Sequence, residues 1–201
     1  MRYIYLFFMT LLISVPSTSR AEDSNQTSNE SGKMSKTPVK KLAEATDDLL
    51  EGLSDKQLRQ YRAIRSAHGL IRSIDSVRST IDRGVTACAE NNPGMADELE
   101  KRFLQWKRSL RPHLSEAKDK RDDMVVLQSF TQPKQVRKHL KLFDRAVAYK
   151  KDLFERTPVS EAEACREMMD TMQSTQKRLI KLLKERLKLY DQLQGKGNSG
   201  E

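Results

Sequence analysis

Leu53-Ser54-Asp55-Lys56-Gln57-Leu58 is the stretch from which the fold is read. Ser54 can accept a bond from the backbone N–H of Gln57, and Gln57 can return one to Ser54. Leu53 and Leu58 flank the pair as a hydrophobic staple. A helix therefore starts here. After it, Leu58, Tyr61, Ile64, His68, Ile71, Ile74, Val77, Ile81, Val85 and Cys88 recur at steps of three and four. That period lays one apolar stripe along a long helix, and Asn91-Asn92-Pro93-Gly94 ends it.

The same period continues outward in both directions. Upstream, Pro38 suits the first turn of a short helix reaching Leu50, with Gly52 as its stop. Downstream, Leu99, Phe103, Trp106, Leu110, Leu114, Ala117, Met124 and Leu127 mark a second long helix with Pro112 inside it. An interior proline loses one hydrogen bond and crowds the preceding turn, so a kink or break is expected there. Pro133 opens a third helix on Val136, Leu140, Phe143, Val147 and Phe154, and Pro158 ends it. Ser160-Glu161-Ala162-Glu163 reads as another capping box, with Val159 as its staple. The fourth long helix follows on Cys165, Met169, Met172, Leu179, Leu183 and Tyr190, with Leu182, Leu187 and Leu193 beside them. No stretch alternates with period two over a useful length. All the connections look short, and short loops join antiparallel neighbours. The expected fold is all-α: an up-down bundle of about four long helices plus a short N-terminal one, coiled-coil-like in part.

The ends read differently. Ile4 to Val15 is apolar except for Thr10 and Ser14, follows Arg2, and is broken by Pro16. Ser19 and Ala21 fit the small positions of a signal-peptidase site. The run is well short of the roughly 20 residues of a membrane span. Residues 1–21 are thus expected to be a signal peptide, and the protein to be exported, in a bacterial periplasm by preference. Residues 22–37 are polar and read as a disordered leader, 38–194 as one helical domain, and 195–201 as a disordered tail. Arg2 and Arg20 are the only charged residues before Glu22, so cleavage lowers the net charge from +9 to +7. Eight glycines and two cysteines argue against a glycine-rich phosphate loop and a small disulfide scaffold.

Two cysteines in an exported chain are expected to pair. In up-down order, Cys88 and Cys165 fall at one end of the bundle, both on apolar stripes. Helix lengths oppose this. Straight helices would leave the fourth starting about 17 Å short of the end of the first, whereas a disulfide needs Cα atoms within about 7 Å. A break at Pro112 offers one escape, and an absent disulfide the other. No Cys-x-x-Cys is present to serve redox catalysis.

Recognisable catalytic patterns are missing from the sequence. His68, His113 and His139 stand singly, and neither His-Glu-x-x-His nor Glu-x-x-His occurs. There is no covalent haem motif, nucleophile elbow or phosphate loop. His68 reads as a satisfied core or interhelical residue. Met168, Met169 and Met172 read as core near the cysteines. The acids Glu161, Glu163 and Glu167 read as helix-dipole partners. No cofactor, metal or enzymatic activity is expected.

The basic excess is localised. Lys177, Lys181, Lys184 and Lys188 make one face of the last helix. Lys134, Arg137, Lys138, Lys141 and Arg145 do the same in the third, with Asp144 the only acid among them. In antiparallel neighbours these faces would meet at the end opposite the cysteines. An anionic partner would suit them: acidic proteins, acidic lipid headgroups, polymers of lipopolysaccharide type or extracellular nucleic acid without sequence readout. Basic exported proteins built of long helices include periplasmic chaperones that hold unfolded envelope proteins, a likeness of composition that rests on no motif. The expected function is non-enzymatic binding of a protein partner or client in the cell envelope. The alternatives are an anionic membrane-surface or polymer binder, and an enzyme with no recognisable site.

Overall fold

The structure is a computed structural model that describes residues 37–153 and 157–193, without the side chains of 152 and 189–193. The expected signal peptide, all of the leader but Thr37, the tail, Phe154 and the Tyr190 and Leu193 side chains lie outside this description. The described chain is helical, with no strand. Helix α1 is Pro38–Leu50, α2 Asp55–Asn91, α3 Ala96–Leu127, α4 Pro133–Asp152 and α5 Ala162–Leu193; a 3-10 turn, Pro93–Met95, precedes α3. The architecture is the expected all-α bundle with a short N-terminal helix.

The capping signals act as read. Ser54 accepts from the Gln57 N–H, and Gln57 Oε1 accepts from the Ser54 N–H at 3.0 Å. The other end of that carboxamide donates to the Ser129 carbonyl at 3.1 Å. Gln60 Oε1 accepts from the Ser129 N–H. One turn of α2 thereby holds the α3–α4 loop and sets the level of both ends. Thr37 caps α1 through a bond from the Lys40 N–H, and Gly52 takes the left-handed backbone (φ +72°) that turns α1 into α2.

Three long helices carry the core. Near the C-terminal end of α2, Val85 and Cys88 pack with Leu99, Phe103, Trp106 and Leu110 of α3 and with Cys165, Met169 and Met172 of α5. Near its start, Ile64, Ile71 and Ile74 pack with Leu114, Ala117, Met124 and Val125 of α3, Leu183 and Leu187 of α5, and Val136 and Leu140 of α4. The sharing is ordered: the N-terminal halves of α3 and α5 belong to one cluster and their C-terminal parts to the other. Helices α3 and α5 therefore run parallel and side by side, with α2 antiparallel to both. Helix α4 joins only the second end, where it packs chiefly against α1. No side chain of α1 is fully buried.

This differs from the sequence expectation in three linked ways. Helix α3 is continuous through Pro112 and is not broken there. Helix α4 stops at Asp152 rather than at Pro158, so its link to α5, residues 153–161, is nine residues rather than a short loop. Helix α5 begins at Ala162, with the Cys165 N–H bonded to the Glu161 carbonyl, so Ser160 precedes its first turn.

The link is what reconciles the helix lengths. At about 1.5 Å per residue, α3 is about 48 Å long and α4 about 30 Å, a shortfall of about 18 Å. Nine extended residues reach up to about 30 Å. The link carries α5 back to the level of Cys88, and the disulfide Cys88–Cys165 forms with Cα atoms 5.8 Å apart and both residues fully buried.

Candidate functional site

The nine basic residues expected to form a binding surface are all exposed. The start of the α4 stripe and Lys184 and Lys188 of α5 lie away from the disulfide, since Val136 and Leu140 share a cluster with Leu183 and Leu187, whereas Lys177 and Lys181 flank Ile180, which packs on the disulfide cluster. The two stripes do not sit on packed neighbours, as the antiparallel reading had them. Helix α4 is supported by α1 and α5 by α3, which leaves two faces rather than one ridge. Of the nine, Lys181 alone makes an ion pair among the described residues, with Glu185 at 3.7 Å. On α5, Lys177, Lys181, Lys184 and Lys188 border a shallow hollow of about 370 Å³ around Ile180. The half-exposed Leu182 lies on the same turn. Lysine stems and apolar side chains thus alternate, with ammonium groups at the rim.

Asp144, the acid inside the α4 stripe, turns inward. Its carboxylate accepts from His68 Nε2 at 2.8 Å and lies 3.0 Å from Arg72 Nε. On the other side of the imidazole, Arg121 of α3 lies 3.4 Å from Nδ1. Those contacts fit the neutral ring with its hydrogen on Nε2. Burial lowers the His68 pKa below 6.5, opposed by the hydrogen bond and charge of Asp144 and aided by the charges of Arg121 and Arg72. The pair is accordingly a hydrogen bond to a neutral imidazole at neutral pH rather than a true ion pair. His68 is interhelical and satisfied, as expected.

A second buried histidine lies two turns earlier along the same seam. Arg65 Nη1 donates to Tyr61 Oη, which is hydrogen-bonded to His139 Nε2, each at 3.1 Å. His139 Nδ1 has no partner among the described residues. Burial, and then the Arg65 charge, push the His139 pKa down to about 4. The Arg65 guanidinium stacks over Phe143 at 4.6 Å, and Phe143 meets His68 edge-on. Tyr61, Arg65, His68 and Arg72 thus form one polar row on α2, read by α4 through His139, Phe143 and Asp144. The row orients α4. Its large side chains also hold α4 away from the α2 backbone, in contrast with the close α2–α3 contact.

Among the described residues, no group of three or more His, Cys, Asp or Glu is placed to hold a metal ion. No described helix is long and apolar enough to cross a membrane. Met169 and Met172 are buried beside the disulfide, and Met168 packs against Gly84 of α2. A second hollow, on α3, is open and lined by Asp97, Glu100, Lys101, Leu104, Gln105 and Arg108.

One cationic region lies outside both expected stripes. Between Lys101 and Ser115 there is no acid, while Lys101, Arg102, Lys107, Arg108 and Arg111 are all basic. That run was the available signal in the sequence, hidden by its position on a helix whose next turns alternate acid and base.

Comparison with protein-family models, curated proteins and solved structures finds no match to this chain. The class defined by fold and surface is a disulfide-closed, all-α bundle with cationic faces.

Proposed function

We propose that the protein is an exported, non-enzymatic binding protein that engages an acidic protein partner or unfolded client in the cell envelope. The observation that carries this reading is the state of the nine basic residues. All are exposed, and eight have no ion pair among the described residues. Unpaired surface cations raise the rate of encounter with an anionic surface and are strongly screened by salt. Ile180, in the hollow they border, supplies apolar contact once the partner is steered in. The buried disulfide supports export, since such bonds persist in oxidising compartments.

The test compares the parent chain with a variant carrying Lys→Gln at 177, 181, 184 and 188. Both are mixed with reduced α-lactalbumin, an acidic unfolded client, and with reduced lysozyme, a basic one. The parent should suppress aggregation of the acidic client at low salt and lose the effect as salt rises. The variant should fail at low salt while keeping its helical circular dichroism. Equal protection of both clients, or full activity in the variant, would overturn the reading.

A further inference from the structure

On the other flank of the bundle, α2 and α3 enclose a cleft of about 480 Å³. Arg78 of α2 and Lys107, Arg108, Arg111 and Lys118 of α3 line it, and no acidic side chain does. Trp106, Leu110 and Leu114 make an apolar floor. Its volume lies within the range of small-molecule sites.

The cations there are largely uncommitted. Arg108, Arg111 and Lys118 make no ion pair among the described residues. Arg78 lies 3.8 Å from Asp75, at the outer limit of pairing. Lys107 Nζ sits 4.2 Å over the Phe103 ring, a contact that leaves its N–H donors available. Five like charges around one hollow repel one another, and an anion relieves that repulsion. Guanidinium groups match phosphate oxygens by paired N–H donors, where ammonium offers only a point charge. Three of the five are arginines.

The apolar lining adds a second requirement. Inorganic phosphate alone would leave Leu104, exposed in the cleft lining, uncovered. Trp106 is also the chain's only tryptophan, and its indole N–H is buried with no partner among the described residues. A ligand that brings acceptor oxygens to the cations and an apolar stem to Leu104 answers both features.

We infer that this cleft binds the phosphate headgroup of an anionic lipid, with Arg78, Arg108, Arg111 and Lys118 around the phosphate and the first methylenes of the lipid against the exposed Leu104, above Trp106. The site is separate from the faces of α4 and α5 and does not depend on their partner.

Trp106 makes the test direct. Its fluorescence is followed while the full-length chain is titrated with dihexanoyl phosphatidic acid below its aggregation limit. Parallel titrations use dihexanoyl phosphatidylcholine and inorganic phosphate. Phosphatidic acid should give a saturable change, and the other two none over the same range. The double variant R108Q/R111Q should bind about tenfold or more weakly, since it loses two charge-assisted contacts to the phosphate. Both residues are exposed, so its circular dichroism should match the parent. The pair K181Q/K184Q should bind as the parent does. An equal response to inorganic phosphate would overturn the lipid assignment. Unchanged affinity in R108Q/R111Q, or loss of binding in K181Q/K184Q, would overturn the site.

Discussion

The side-chain amide of Asn92 donates to the carbonyl of Ser160 at 2.9 Å and to that of Cys88 at 3.1 Å. It thereby ties the last turn of α2 to the end of the α4–α5 link, immediately beside the disulfide. The Val159 carbonyl lies 3.5 Å from Cys88 Sγ, and Asn92 Nδ2 lies 3.7 Å from Cys165 Sγ. One amide therefore orders the segment that brings Cys165 to Cys88.

Removing that amide and removing the disulfide should have different sizes. Asn92→Ala takes its side-chain donor from the Ser160 carbonyl, while the Cys88 carbonyl keeps the backbone N–H of residue 92, and should cost about 1–3 kcal/mol. Replacing both cysteines by serine opens a loop of about 78 residues and should cost about 4.5 kcal/mol on the chain-entropy model. Urea denaturation of the three proteins checks the order. A larger loss for Asn92→Ala than for the cysteine pair would contradict it.

The two buried histidines should make stability fall in mild acid. His139 has a folded-state pKa of about 4, against 6.5 for the ordinary imidazole. Above pH 6.5 neither state binds the proton, and the difference has no effect. Between 6.5 and about 4 the unfolded chain takes a proton that the folded chain refuses, so stability is lost as pH falls. The full loss is up to about 3 kcal/mol, and His68, lowered in the same direction, adds to it. His139→Gln keeps a hydrogen-bond partner for the Tyr61 hydroxyl and has no proton to bind. Denaturation midpoints at about pH 7 and about pH 4.5 should therefore differ less in the variant than in the parent. An identical drop in both proteins would show that His139 is not the group responsible.

What was legible in the sequence was whatever a residue does to its own neighbours. The Ser54–Gln57 box, the α2 stripe and the Asn92–Pro93 stop all act over four residues or fewer, and all stand where their spacing puts them. The cysteine pair was legible too, since it needs only the alternation of helix direction. The end of α4 was not. No breaker occurs between Lys150 and Arg156, and the helix stops where it runs out of surface to cover: Val147, Tyr149 and Leu153 are exposed. That is a tertiary limit, set by the packing partners of α4 and not by its own residues. The Asp144–His68 bond was hidden for a related reason. The spacing of lysines around Asp144 described its neighbours on α4 and not the helix across from it. The cleft beside Trp106 needed Arg78 from α2 to join a cluster from α3, which no one-dimensional pattern displays.

Two glycines of α2 should respond unequally to alanine. A Cβ at Gly69 would meet only Phe143 Cζ, at 3.9 Å, which is ordinary contact. Gly69→Ala should therefore gain the helix-propensity difference, about 0.5–1 kcal/mol. A Cβ at Gly84 would come within 2.8 Å of Met168 Sδ, beside the disulfide. The tip of the partly exposed Met168 side chain must shift to admit it, so Gly84→Ala should keep less of that gain than Gly69→Ala. Thermal melts of the two single variants rank them, and a more stable Gly84→Ala than Gly69→Ala would refute the packing argument.

Pro112 offers the largest gain. It is exposed and lies inside a helix that continues on both sides of it, so no turn or chain reversal depends on it. Lacking an N–H, it leaves the Arg108 carbonyl without its helical partner, and its ring crowds that same turn. Continuity of α3 must then be enforced by the burial of Leu110 and Leu114 on either side of it. Alanine restores the bond and removes the crowding. Pro112→Ala should raise stability by about 1–3 kcal/mol, the upper figure being the full proline penalty in a helix interior. The measurement is the urea midpoint at unchanged slope, together with far-ultraviolet circular dichroism no weaker than the parent's. A lower midpoint would mean that the backbone at Arg108 has a shape the proline is needed to hold. The affinity of the Arg108–Arg111 cleft for phosphatidic acid should then change in the same variant.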